Sequence, residues 1–260
     1  MRRIMASQLY QLKRIRAMWM LIIGITLIFL LTVIGPLLNL ERPTASLLIG
    51  QQMPFLFVML TIMTGVVSAF LCTNDFTDQT LNHEVLSGVS RMESYFGRAI
   101  PAILVSVVLS LFWLAMAVCA ADALYGWGNQ LSVQTVAAEI LLTAFPLIRL
   151  SCFFVMLSFI IKRPFIVIGI SCAMIYLIFQ VGGSTLFNAH NYYLAGIANA
   201  FYILNTEQFG VFAAGSEHIN YVLVPTVTPA SAAVTVAVSL VFSAGWLLLG
   251  YSYFHHDDLK

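Results

Sequence analysis

Apolar residues fall in long blocks along this chain, separated by short polar stretches. Six blocks run at 17–38, 53–72, 99–121, 136–161, 164–181 and 229–251. A helix needs about 20 apolar residues to cross roughly 30 Å of hydrocarbon, and these blocks are of that length. They predict an all-α, polytopic membrane protein with six transmembrane helices. The segment before the first block has a different pattern. Met5, Leu9, Leu12, Ile15 and Trp19 recur at spacings of four and three, while Arg2, Arg3, Lys13, Arg14 and Arg16 lie largely off that stripe. This predicts an amphipathic helix over 1–16 lying in the membrane interface. A plain basic flank that orients the first span is the other reading.

Composition supports the spans. Of 260 residues, 60% are apolar and 9% charged, against roughly a quarter charged in soluble domains. The net charge of +1 argues against a nucleic-acid partner. The basic residues are sorted by side: five precede the first span, and Arg91, Arg98, Lys162, Arg163 and Lys260 fall in alternate connections or the tail. Only Arg42 lies in the opposite connections. By the positive-inside rule, both termini and the 73–98 segment of this multi-pass protein are expected in the cytoplasm. The first apolar run has bulky neighbours and no small-residue cleavage site, so it reads as a retained span. Cys72, Cys119, Cys152 and Cys172 lie in or beside apolar runs without CxxC spacing, which predicts inert thiols.

No Pro/Gly/Ser-rich linker or obvious repeat divides the chain, so 1–260 is read as one transmembrane domain. The external segment 182–228 is half apolar and aromatic, with Phe187, Tyr192, Tyr193, Phe201 and Tyr202 among its rings. Short re-entrant helices between spans five and six would suit it. So would a partly packed loop.

Candidate chemistry is sparse. GxSxG, HExxH and the phosphate loop GxxxxGK[ST] are all absent, so no catalytic residue, metal site or resident cofactor is expected. His255-His256-Asp257-Asp258 reads as a solvated tail. Two ionisable residues mark a translocation pathway or a subunit contact. Arg149 sits near mid-membrane in the fourth span, and Glu139 lies ten residues earlier. Pro146 makes that span the expected place for a kink or break, whose freed carbonyls would be an alternative partner for Arg149.

The 73–98 segment carries the most specific pattern. It shows Asp75, Thr80-Leu81, Glu84, Leu86, Val89-Ser90-Arg91 and Gly97-Arg98, and the tail reads Phe254-His255-His256-Asp257-Asp258-Leu259. In order and placement this resembles the permease subunits of ABC type 2 exporters, and the resemblance covers the whole chain. It departs at Gln79, where the family usually has Gly, at Gly88, where Pro is usual, and at Arg98, where Lys is common. The resemblance implies that 73–98 forms a cytoplasmic coupling helix docked on a separate ABC ATPase subunit, with Thr80, Leu81, Glu84, Val85, Ser90 and Arg91 at the contact. Mixed apolar and charged positions from Thr80 to Tyr95 suit a short amphipathic helix. It also implies a second permease copy, identical or closely related, with ATP and Mg bound to the partner ATPase and none in this chain. The exported substrate would be amphipathic or hydrophobic, a peptide or antimicrobial compound. A drug or glycolipid is the alternative cargo. The rival classes are an ion-driven secondary transporter, which would need mid-membrane acidic residues, and a membrane enzyme, which would need convergent catalytic groups.

Overall fold

The computed structural model describes residues 2–14, 16–38, 44–77, 84, 86–128, 132–173 and 229–256. The described residues form seven helices. They are α1 (Arg2–Arg14), α2 (Arg16–Leu38), α3 (Ala45–Thr77), α4 (Arg91–Tyr125), α5 (Val133–Ile161), α6 (Pro164–Ala173) and α7 (Pro229–His256). Five of them, α2, α3, α4, α5 and α7, are long and apolar enough to cross a membrane. The fifth expected span corresponds to α6, described for ten residues; the rest of 164–181, and the whole of 182–228, lie outside the described residues.

Each long helix contains its sequence-predicted span and overruns it. With 33 and 35 residues, α3 and α4 reach about 50 Å at 1.5 Å per residue, well beyond a 30 Å core. The extra turns carry charged residues of the expected 73–98 coupling segment. Asp75 lies in the last turns of α3, and Arg91 and Arg98 begin α4. The amphipathic helix expected over Thr80–Tyr95 is therefore not one element. Glu84 and Leu86 are helical, a turn at Ser87 and Gly88 follows (Val89 N–H to Glu84 O, 3.2 Å), and Gly88 within it has φ +92°. Proline, with φ fixed near −65°, cannot adopt that angle. The Gly-for-Pro departure from the exporter pattern is thus a difference of backbone geometry. Ser90 then starts a new helix, its hydroxyl accepting from the Glu93 N–H at 3.2 Å. Ser-Arg-Met-Glu has the form of a capping box, which is why α4 starts here.

α3 is the most enclosed helix, whereas α2 and α7 show most of their spanning surface to the outside. α5 and α7 make the most extensive pairing, and α3 packs closely on α4 and α5. Small residues allow this. A Cβ on Gly250 of α7 would lie 3.2 Å from the Met156 Cα, and one on Gly65 of α3 would lie 2.6 Å from the Ser171 Cβ. Close backbone approach of this kind is how helices gain contact where lipid gives no hydrophobic drive. α5 turns directly into α6 at Lys162, whose φ of 58° reverses the chain. α5 is one helix through Pro146, without the expected break.

Side-chain contacts define two ends of the bundle. One joins the end of α3 to the starts of α1 and α4 and the ends of α5 and α7. The other joins α2, the start of α3 and the end of α4, where Tyr125 donates to the Val33 carbonyl (2.7 Å) and Ala45 N–H to Gly126 O (3.0 Å). The first and last described helices therefore meet at the same end. α6 starts at that end and α7 finishes there.

Candidate functional site

Arg98 is the centre of the first end. Its side chain is fully buried, and a buried guanidinium is tolerated only when its donors are occupied. Nε donates to Asp75 Oδ2 (2.6 Å) and Nη2 to Glu84 Oε2 (2.9 Å). Nη1 donates to the Ser94 carbonyl (3.1 Å) and hydroxyl (2.6 Å) one turn earlier. The planar fork thus spans two carboxylates and its own helix, which a lysine ammonium could not match.

Asp75 extends the network to α1. Gln8 Nε2 donates to Oδ2, and Gln11 Nε2 to Oδ1 at 3.3 Å. Ile4 sits against Gly97, where an added Cβ would lie 2.9 Å from Ile4 Cγ2. The buried face of α1 is therefore Ile4 and Gln8, while Leu9 of the expected apolar stripe is exposed. The helix is present, and Leu12 of the same stripe packs partly against the core.

Arg91 ties in α7. Its Nη1 donates to the carbonyls of His255 (2.6 Å) and Phe254 (3.5 Å). These are among the last carbonyls of α7, which have no partner within the helix. One turn on, Tyr95 Oη donates to the Leu247 carbonyl at 3.0 Å. Around Tyr95, the rings of Phe76, Phe159 and Phe254 bring together α3, α5 and α7, with centroids 4.5 to 6.2 Å apart. Edge-on and tilted packing of this kind favours fixed geometry. Lys162, at the α5–α6 turn, places its ammonium 5.6 Å from the Phe76 ring centre.

Of the residues singled out from the sequence, Glu84, Ser90 and Arg91 fall in this cluster, each bonded within the protein. Thr80, Leu81 and Val85 lie outside the described residues. Arg149 is buried in α5, ten residues from Phe159, hence about 15 Å along the helix from the cluster. Glu139 lies a further ten residues along the same helix. The structure does not bring either into the Arg98 site. Sequence reasoning named Asp75 and Arg98 as motif positions without pairing them, and it missed Gln8 and Gln11. Their i, i+3 spacing, in register with Ile4, was the available signal.

Among the described residues no group of His, Cys, Asp and Glu could hold a metal ion. Beyond the cluster, Leu86 and Met92 are 83% and 57% exposed. The short segment bearing them is bonded through Glu84 and Arg91 to helices that also hold α1, α3 and α7.

No known protein family matches the chain, and comparison with curated proteins and with solved structures gives no match.

Proposed function

We propose that the protein is the transmembrane permease subunit of an ATP-binding-cassette exporter. It lies in the bacterial cell membrane with the Arg98 end, α1 and the end of α7 on the cytoplasmic side. α1 lies along the lipid interface, and six crossings are completed between α6 and α7. The observation that carries the reading is the exposed apolar pair Leu86–Met92 on a segment wired to α1, α3, α4 and α7. A partner pressing on that segment would move several spanning helices at once. This is what coupling to a separate ATPase subunit requires, since the chain has no phosphate loop of its own. Two permease copies, identical or closely related, would flank a path for an amphipathic or hydrophobic substrate such as a peptide or antimicrobial compound.

The test is purification of the intact chain in mild detergent from its native host. A co-purifying subunit with Walker motifs and ATPase activity is expected, and Leu86→Asp with Met92→Asp should release it while the permease stays folded. Recovery of no such subunit, together with ion-gradient-driven flux in liposomes, would replace this reading with a secondary transporter.

A further inference from the structure

Phe76, Tyr95, Phe159 and Phe254 form one layer across α3, α4, α5 and α7, because their rings touch. Distance along each helix from that layer gives a common depth scale. Ser68 and Ser151 each lie eight residues from their ring, on α3 and α5, hence at roughly 12 Å. Ser110 and Ser239 each lie fifteen residues away, on α4 and α7, hence at roughly 22 Å. Arg149 falls between the two levels.

All four serines are buried, and none of their hydroxyls has a hydrogen-bond partner among the described residues. Their neighbours behave differently. Thr73, Ser106 and Ser158 donate to the carbonyl four residues back, at 2.6 to 2.7 Å. That bond is the ordinary refuge of a hydroxyl inside an apolar helix bundle. A buried hydroxyl left unbonded costs about 1–3 kcal/mol. Four such hydroxyls at two depths on four helices, with the unbonded hydroxyl of Ser243 on α7 and the buried Arg149 on α5 at depths between them, point to a polar occupant.

We propose that the occupant is ordered water, held by Ser68 and Ser151 in one layer and by Ser110 and Ser239 in the other. Water is favoured over a solute because the walls are close. The approach of Gly65 to Ser171, and the small size of the serines, leave room for single molecules between packed helices. A buried water also needs about three polar partners, which side chains and nearby carbonyls can supply. The middle of the bundle is then a hydrated layer, sealed from the Arg98 end by the aromatic rings.

Radiolytic hydroxyl-radical labelling of the full chain in lipid nanodiscs tests this, since radicals form from water held beside a side chain. Cys152, next to Ser151, and Met63, thirteen residues from Phe76 and so near the deeper layer at roughly 20 Å, are both buried, as is Met18 on α2. Labelling of Cys152 and Met63 is expected to be at least about five-fold faster than that of Met18, as bound water beside the first two would require. Equal rates at all three would overturn the proposal. In the Ser68→Ala/Ser151→Ala variant, which keeps the packing volume nearly unchanged, labelling of Cys152 should fall to the Met18 rate. Unchanged labelling would remove these serines as the ligands. A small organic molecule retained in native mass spectra of the wild type and lost in the double variant would equally overturn water as the occupant.

Discussion

The two ends of the bundle are built on different principles. At the Arg98 end, five helices are joined by an ion-pair network, a cap on α7 and a packed ring cluster. At the opposite end, among the described residues, α2, α3 and α4 meet through Val33, Ala45, Leu48 and Ala121, with a tyrosine hydroxyl bonded to the Val33 carbonyl and the Ala45 N–H to the Gly126 carbonyl. The first end is specified by direction-dependent bonds with few alternative arrangements. The second is held mainly by small apolar contacts, which can slip by fractions of a turn at little cost. The permease role proposed above would use this asymmetry, with a stiff end that receives force and a compliant end that parts.

Removing the centre of the stiff end should have the largest effect. Arg98→Ala leaves Asp75 and Glu84 without their buried partner and is expected to destabilise the protein by about 3–5 kcal/mol. Thermal unfolding monitored by size-exclusion fluorescence would show it as loss of the monodisperse peak. Arg98→Lys keeps the charge without the fork and should fall between alanine and wild type. Gly250→Leu comes next, because a Cβ there would lie 2.6 Å from Tyr95 Oη and meet the Met156 backbone. Overpacking against backbone should cost about 2–3 kcal/mol in the same assay.

Arg91→Ala removes the cap on α7 and should cost about 1.5–2 kcal/mol. Amide exchange ought to rise in the last turn of α7 and little elsewhere. Tyr125→Phe, at the opposite end, is expected to cost only about 0.5–1 kcal/mol, typical of a single polar contact between membrane helices. If Tyr125→Phe proved as damaging as Arg91→Ala, the contrast between the two ends would be lost.

Much of the helical framework was legible in the sequence, since every apolar block long enough to span a bilayer lies within or begins a helix. The helix ends were less so. Asp75, Arg91 and Arg98 looked like loop residues because charge normally marks the limit of a span. They extend the helices here because their charges are paired with one another or with backbone carbonyls. Only Ser90-x-x-Glu93 announced the start of α4, and its meaning depends on the turn at Gly88. Which side of α1 meets the bundle was not read from the sequence, for a separate reason. In a membrane protein, surfaces turned away from the bundle are also apolar, so a stripe that holds both exposed Leu9 and partly buried Leu12 does not say which side meets protein. Gln8 is buried because Asp75 awaits it, a contact 67 residues away in sequence. The pairing of Glu84 with Arg98 was hidden similarly, by a turn whose geometry hydropathy does not encode.

The bond between Arg91 and the end of α7 also orders events during synthesis. Chains fold from the N-terminus as they emerge. α1, α3 and the start of α4 can assemble around Asp75 and Arg98 while much of the polypeptide is still on the ribosome. Arg91 and Tyr95 then wait for the carbonyls of His255, Phe254 and Leu247, which come more than 150 residues later. Until α7 arrives, a guanidinium and a phenol stand without these acceptors beside an open ring cluster. A chain stalled before α7 would display that unfinished surface, giving quality-control proteases a means to distinguish an incomplete protein from a finished one.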